Sequence, residues 1–142
     1  MKKLLLGLLL ISGLANAQWK SLVSADDFTD EVSSIPYVIG KSNDSTYDKP
    51  ALAYYINHNR LSIVNSGYYI DDHVTITYRI DKNQPKTINI DIIDRTMLSW
   101  KLTEELLNEL KEGTSLAIKE SEDFSIMKFS LIGFTKEFNK AE

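Results

Sequence analysis

The chain has 142 residues, 20 of them acidic and 16 basic, giving a formal net charge of −4, and it contains no cysteine. An acidic chain without a Lys/Arg-rich run lacks the charge that grips nucleic acid or an anionic membrane surface. Without a thiol there is no disulfide framework and no cysteine chemistry, so stability must come from packing alone.

Met1-Lys2-Lys3 is a short positive head, Leu4 to Leu14 an apolar run broken by Gly7, Ser12 and Gly13, and Ala15-Asn16-Ala17 an A-x-A site. Those three parts in that order predict a secretory signal peptide cut between Ala17 and Gln18. The apolar run falls well short of the roughly 20 residues a bilayer span needs, so no stable membrane anchor is expected after cleavage. Gln18, and not Cys, follows the cut, which argues against a lipoprotein. The expected organisation is therefore a signal peptide at 1–17 and one β-rich domain at 18–142, periplasmic or secreted from a bacterium. A mature chain of about 125 residues buries roughly two-thirds of its unfolded surface, enough for an independent core. Asn43-Asp44-Ser45 matches a glycosylation sequon, which in a bacterial protein reads as a chance match in a loop.

Alternation of apolar and polar residues then predicts strands. The first spans Ser33 to Ile39, before a polar loop from Gly40 to Lys49. Leu52, Tyr54 and Ile56 alternate with Ala53, Tyr55 and Asn57, and Leu61 and Ile63 resume the pattern after Asn57-His58-Asn59-Arg60. Asn tolerates the left-handed backbone of a tight reversal. A hairpin loop at 57–60 would set Ile56 opposite Leu61 and Tyr54 opposite Ile63. The clearest strand runs from Asp72 to Asp81, with Val74, Ile76, Tyr78 and Ile80 on one face and Thr75, Thr77 and Arg79 on the other. A turn at Lys82-Asn83-Gln84-Pro85 leads to Thr87–Ile92, and further strands are expected at Met97–Leu102, Ser115–Lys119 and Phe124–Ile132.

One segment has a helical period. Thr103 suits the N-cap, Glu104 and Glu105 the positive end of the dipole, and Gly113 the C′ position. Leu106, Leu107 and Leu110 form its apolar stripe, and a last short helix starting at Thr135 carries Phe138 back to the sheet. The fold class expected is a single antiparallel β-sandwich-like domain with one short helix between late strands and a short C-terminal helix.

The order of these features resembles a family. Trp19 comes first, then the acidic turn Asp26-Asp27, the segment Val74-Thr75-Ile76-Thr77-Tyr78-Arg79-Ile80-Asp81, and Trp100. A Leu-rich helix ending at Gly113 follows, and the chain closes on Phe129-Ser130-Leu131-Ile132-Gly133-Phe134. The chain is similar to small secreted proteins of the VasI/TagO type, found near type VI secretion systems and in prophages. The resemblance implies a non-enzymatic envelope protein with a β-sandwich-like fold, and it carries over no catalytic residue. Members often keep a Cys in the strand after the first loop, where this chain has Ala53-Tyr54-Tyr55.

The residues themselves point away from familiar catalytic classes. His58 and His73 lack H-x₃-H, H-E-x-x-H or Cys/His spacing, so no metal site is expected. Asp71-Asp72 and Asp26-Asp27 do not continue into a calcium loop and read as solvated turns. No nucleophile elbow and no phosphate-cradling glycine loop occurs, so no catalytic residue and no cofactor is expected. Arg79 and Asp81 share a face and could bridge, whereas Trp19 and Trp100 read as core. Five of the seven tyrosines lie between Tyr47 and Tyr69. Aromatic and guanidinium groups anchor interfaces, so Tyr55, Tyr68, Tyr69 and Arg79 are the expected partner-binding residues. They would share one outward face if the strands bearing Tyr55 and Arg79 lie side by side.

The expected function is a non-enzymatic soluble periplasmic protein that docks on an envelope or secreted protein, in association with a secretion system. The alternative is an inhibitor or immunity factor, host- or phage-encoded, directed against an envelope enzyme, a toxin or an incoming phage. A third reading is a cell-wall hydrolase, which would need carboxylates converging in a cleft.

Overall fold

The computed structural model describes residues 18–43, 49–65, 67–120 and 125–141. The expected signal peptide, the sequon's Asp44 and Ser45, Tyr47 and the expected strand start at Phe124 lie outside the described residues. The fold is mostly β, a ten-stranded antiparallel sheet with two short helices. In chain order the strands are β1 (Lys20–Ala25), β2 (Val32–Ile39), β3 (Lys41–Ser42), β4 (Ala51–Tyr55) and β5 (Arg60–Val64). They continue as β6 (His73–Ile80), β7 (Lys86–Ile93), β8 (Met97–Lys101), β9 (Ser115–Glu120) and β10 (Ile126–Ser130). Helix α1 (Glu104–Glu112) lies between β8 and β9, and α2 (Phe134–Ala141) follows β10.

The spatial order is β1-β2-β4-β5-β8-β7-β6-β9-β10-β3. The last strand of that order, β3, continues its second strand, β2, after Gly40 alone. β2 pairs with β1 and β4, and β3 pairs with β10 through Ser42–Met127 and Lys41–Lys128. The bent β2–β3 strand thus pairs with β4 at one end and with β10 at the other, curling the sheet onto itself as a single sandwich-like β domain with β1 as an added edge strand. Gly40 is the corner. A Cβ there would lie 2.5 Å from the Lys128 carbonyl oxygen and 2.5 Å from the Phe129 ring, so only glycine lets the strand pass.

The alternating residues fill the interior as their period requires. Leu52, Tyr54, Leu61, Ile63, Ile76, Tyr78, Ile80, Leu98, Leu116, Ile118 and Phe129 are all buried, joined by Trp19 and Trp100. The β4–β5 hairpin differs from expectation by two residues. Tyr54 faces Leu61 and Leu52 faces Ile63, because Ile56–His58 leaves the strand as a 3-10 turn closed by left-handed Asn59, φ 49°. A slip of two keeps every side chain on its face, so the predicted burial holds although the partners change.

Helix α1 is capped by Thr103, whose hydroxyl accepts from Leu106 N–H at 3.2 Å, and it buries Leu106 and Leu110. Gly113 ends it in extended backbone, φ −83°, not in the left-handed conformation a C′ glycine normally supplies. Glycine is required there for space, since a Cβ would lie 2.6 Å from Ile80 Cγ2. Helix α2 buries Phe134 and Phe138, and Phe134 stacks edge-on against Trp19 at 4.8 Å. The Trp19 indole donates to Ser130 O at 2.6 Å, fastening the start of β1 to the end of β10.

Candidate interaction surface

Strand β1 is one that the sequence pattern missed, whereas its partner β2 covers the expected strand from Ser33 to Ile39. β1 pairs with β2 from Lys20–Tyr37 out to Ala25–Val32, but β4 reaches only Tyr37, Val38 and Ile39 of β2. The outer half of the hairpin therefore stands clear of the sheet as a two-stranded arm. Residues Leu22 to Ser33 are exposed on both faces, so no face is buried and no alternation is selected. That is why β1 left no readable signal.

The tip of the arm is ordered by its own hydrogen bonds. Asp26 Oδ1 accepts from Phe28 N–H at 2.7 Å and from Thr29 N–H at 3.0 Å, an Asx-type turn. Asp26 N–H donates to Glu31 O at 2.8 Å, Asp30 N–H to Asp26 O at 3.0 Å, and Asp30 takes φ 57°. The two backbone donors hold the Asp26 carboxyl below its ordinary value. This rigid turn presents Phe28 at 96 % exposure, flanked by Asp26, Asp27, Asp30 and Glu31. Leu22, Val23 and Val32 are more than half exposed along the arm. Single exposed apolar side chains are ordinary on monomers, whereas a cluster on one projecting element marks a contact surface.

The arm is held at its base. Ser21 Oγ donates to Glu137 Oε2 at 2.5 Å, and that bond, aided by Lys140 and Lys136, keeps the Glu137 carboxyl below its ordinary value.

The four tyrosine and arginine positions expected to share a face do not. β5 pairs with β8, and β6 lies between β7 and β9, so three strands separate the one carrying Tyr55 from the one carrying Arg79. Tyr55 is half-buried opposite Arg60. Arg79 is exposed and donates to the carbonyls of Asn83 and Lys82 at 3.0 and 3.2 Å, pinning the β6–β7 turn. It does not bridge Asp81, which turns aside at φ 52° and accepts from the Thr114 hydroxyl at 2.7 Å and from Ser115 N–H at 2.9 Å. Those bonds, led by the Thr114 hydroxyl, hold the Asp81 carboxyl below its ordinary value. Tyr68 and Tyr69 lie at the opposite end of the sheet, beside the β7–β8 turn, where Tyr69 N–H donates to Arg95 O at 2.8 Å. Tyr68 is exposed, while Tyr69 packs on the core and donates its hydroxyl to Glu120 at 2.5 Å.

His58 and His73 lie at opposite ends of the sheet, the first in the turn after β4 and the second at the start of β6. Among the described residues no three His, Asp or Glu side chains are grouped to hold a metal ion. One polar row crosses the outer face: Ser62, Ser99, Asp91 and His73 on neighbouring strands. Arg60 donates to Asp91 at 2.6 Å, and His73 Nδ1 lies 3.1 Å from the other carboxylate oxygen. The acid stands between Ser99 and His73. A nucleophile triad needs the histidine in the middle, so this order does not activate the serine.

Among the described residues no helix is long and apolar enough to cross a membrane. No family model and no curated protein sequence matches the chain. Among solved structures, the chain is similar to the crystal structure of invasion associated protein B from Bartonella henselae, with a TM-score of 0.60 at 10% sequence identity, covering 87% of this chain and 90% of that one. The two share a fold. The VasI/TagO resemblance rests on its short sequence motifs.

Proposed function

We propose that this chain is an exported, non-catalytic binding protein that docks on an envelope protein through the β1–β2 arm. The observation that carries the reading is the projecting, hydrogen-bonded tip with Phe28 displayed at 96 % exposure. An aromatic anchor on a preorganised loop contributes contact area at little ordering cost. The four carboxylates around Phe28 select a partner whose apolar pocket is rimmed by Lys or Arg. Export is supported by the positive head, apolar run and A-x-A site at 1–17, and the VasI/TagO resemblance is compatible with an envelope role beside a secretion system. The form of the arm also favours the inhibitory version of this role, because a narrow acidic loop tipped by one ring can enter a cleft that a flat surface cannot.

The test is photo-crosslinking in cells from a photoreactive phenylalanine at position 28, compared with one at the exposed position Asn108 on α1. A crosslinked envelope protein specific to position 28, and lost when the partner's basic rim is neutralised, supports the reading. Crosslinks of equal yield at both positions, or none at position 28, overturn it. A crosslink to a second copy of this chain also overturns the docking role and assigns the arm to self-association.

A further inference from the structure

The outer faces of β6, β9, β10 and β3 gather cations that the sequence scatters. Arg79 lies opposite Ala117, Ala117 opposite Lys128, and Lys128 opposite Lys41. Residues directly opposite in a sheet share a face, so three cations line one row across four strands. Lys119 stands on the same face two residues beyond Ala117, opposite Thr77 and Ile126. All four cations are exposed. At roughly 4.8 Å per strand, the row from Arg79 to Lys41 spans about 14 Å.

Among the described residues no acid on this face offsets them. The remaining outward positions of the four strands carry neither Asp nor Glu. None of the four cations forms an ion pair among the described residues. Arg79 donates to two backbone carbonyls of its own turn, which leaves its charge unmatched. Lys128 and Lys41 are directly opposed, and like charges so placed lower stability. A chain of net charge −4 thus keeps one wall of unopposed positive charge, while Asp26, Asp27, Asp30 and Glu31 crowd the tip of the arm.

We infer that this wall lies against the surface of an anionic phospholipid bilayer, its four cations set among the lipid phosphates. Charge complementarity carries the assignment, and the rest of the face narrows the anion. Among the described residues it presents no Phe, Tyr or Trp to stack on the bases of a single nucleic-acid strand. Nor do these strands carry an exposed large apolar side chain around which a protein interface would form. A layer of phosphates needs neither. Each cation near such a leaflet raises binding about fivefold, so four give a weak, reversible attachment and not an anchor. Lying within about 14 Å, the charges act as one field at low ionic strength, where screening extends about 30 Å. None of the four lies on β1 or β2, so this face stands whether or not the arm takes a protein partner.

Vesicle sedimentation with the mature chain tests this. In low-salt buffer the protein should pellet with vesicles of phosphatidylglycerol and phosphatidylcholine and stay in solution with phosphatidylcholine alone. Salt at about 0.5 M should release it. Lys41→Gln combined with Lys128→Gln, both at exposed positions, should weaken attachment about 25-fold without lowering the melting temperature. Lys101→Gln combined with Lys136→Gln removes the same charge from exposed positions elsewhere and should leave attachment nearly unchanged. Failure to pellet with the anionic vesicles, equal binding to neutral ones, or an equal effect of the two pairs of substitutions would each overturn the proposal. Self-association in low salt that disappears when Lys41 and Lys128 are neutralised, without vesicle binding, would assign the wall to the acidic tip of a second copy and also overturn it.

Discussion

Ser21 and Glu137, 116 residues apart, are joined by a hydrogen bond of 2.5 Å that fixes the base of the projecting arm to the C-terminal helix. The hydroxyl donates and the carboxylate accepts, so the bond favours the charged form of Glu137. A carboxyl whose value is lowered by folding stabilises the native state above its unfolded value, and that contribution is lost as pH falls through the lowered folded value. Ser21→Ala should therefore cost about 1 kcal/mol at about pH 7, with the difference from wild type shrinking under acid. Urea unfolding of both proteins at about pH 7 and about pH 3 checks this. A penalty that grows in acid would contradict the assigned direction.

Ile76 is fully buried in mid-strand, and Thr77 points outward with its hydroxyl 3.0 Å from that of Thr87. Ile76→Asp should cost several kcal/mol or prevent folding, because an unpaired carboxylate enters the core. Thr77→Asp should stay within about 1 kcal/mol, helped by Lys119 opposite it on β9. Melting temperatures of the two variants give the comparison, and equal values would overturn the register of β6.

Closure of the sheet depends on Gly40. Gly40→Ala places a methyl against the Lys128 carbonyl and the Phe129 ring, both 2.5 Å away, and the β2–β3 strand must shift to admit it. A loss of about 1–3 kcal/mol is expected, in the range for overpacking a core. Hydrogen exchange should show weakened protection at Lys41 and Met127 before other strands. Uniform protection would mean that the corner is not what closes the sheet.

Tyr55 and Arg79 lie on strands that do not touch, and the Arg79 hydrogen bonds go to the carbonyls of its own turn. The stability effects of Tyr55→Ala and Arg79→Ala should therefore add within about 0.5 kcal/mol. Thermal or denaturant unfolding of both single variants and the double variant measures the sum. A coupling of about 1 kcal/mol or more would show the two positions acting as one surface.

The sequence alone determined most of the strands and the inward faces, because burial on one side imposes a period of two that no local conformation can imitate. The alternation of Val74, Ile76, Tyr78 and Ile80 and the cap at Thr103 are local facts, and they appear in the structure where the pattern puts them. Which strands lie together is not local. Strands β5 and β6 follow one another in the chain yet have β8 and β7 between them, so the face expected to unite Tyr55 with Arg79 never forms. The arm was illegible because a hairpin exposed on both sides has no buried face to write a pattern. The two indoles needed the tertiary structure as well, since only three-dimensional packing decides that Trp19 meets a carbonyl while Trp100 meets no acceptor among the described residues.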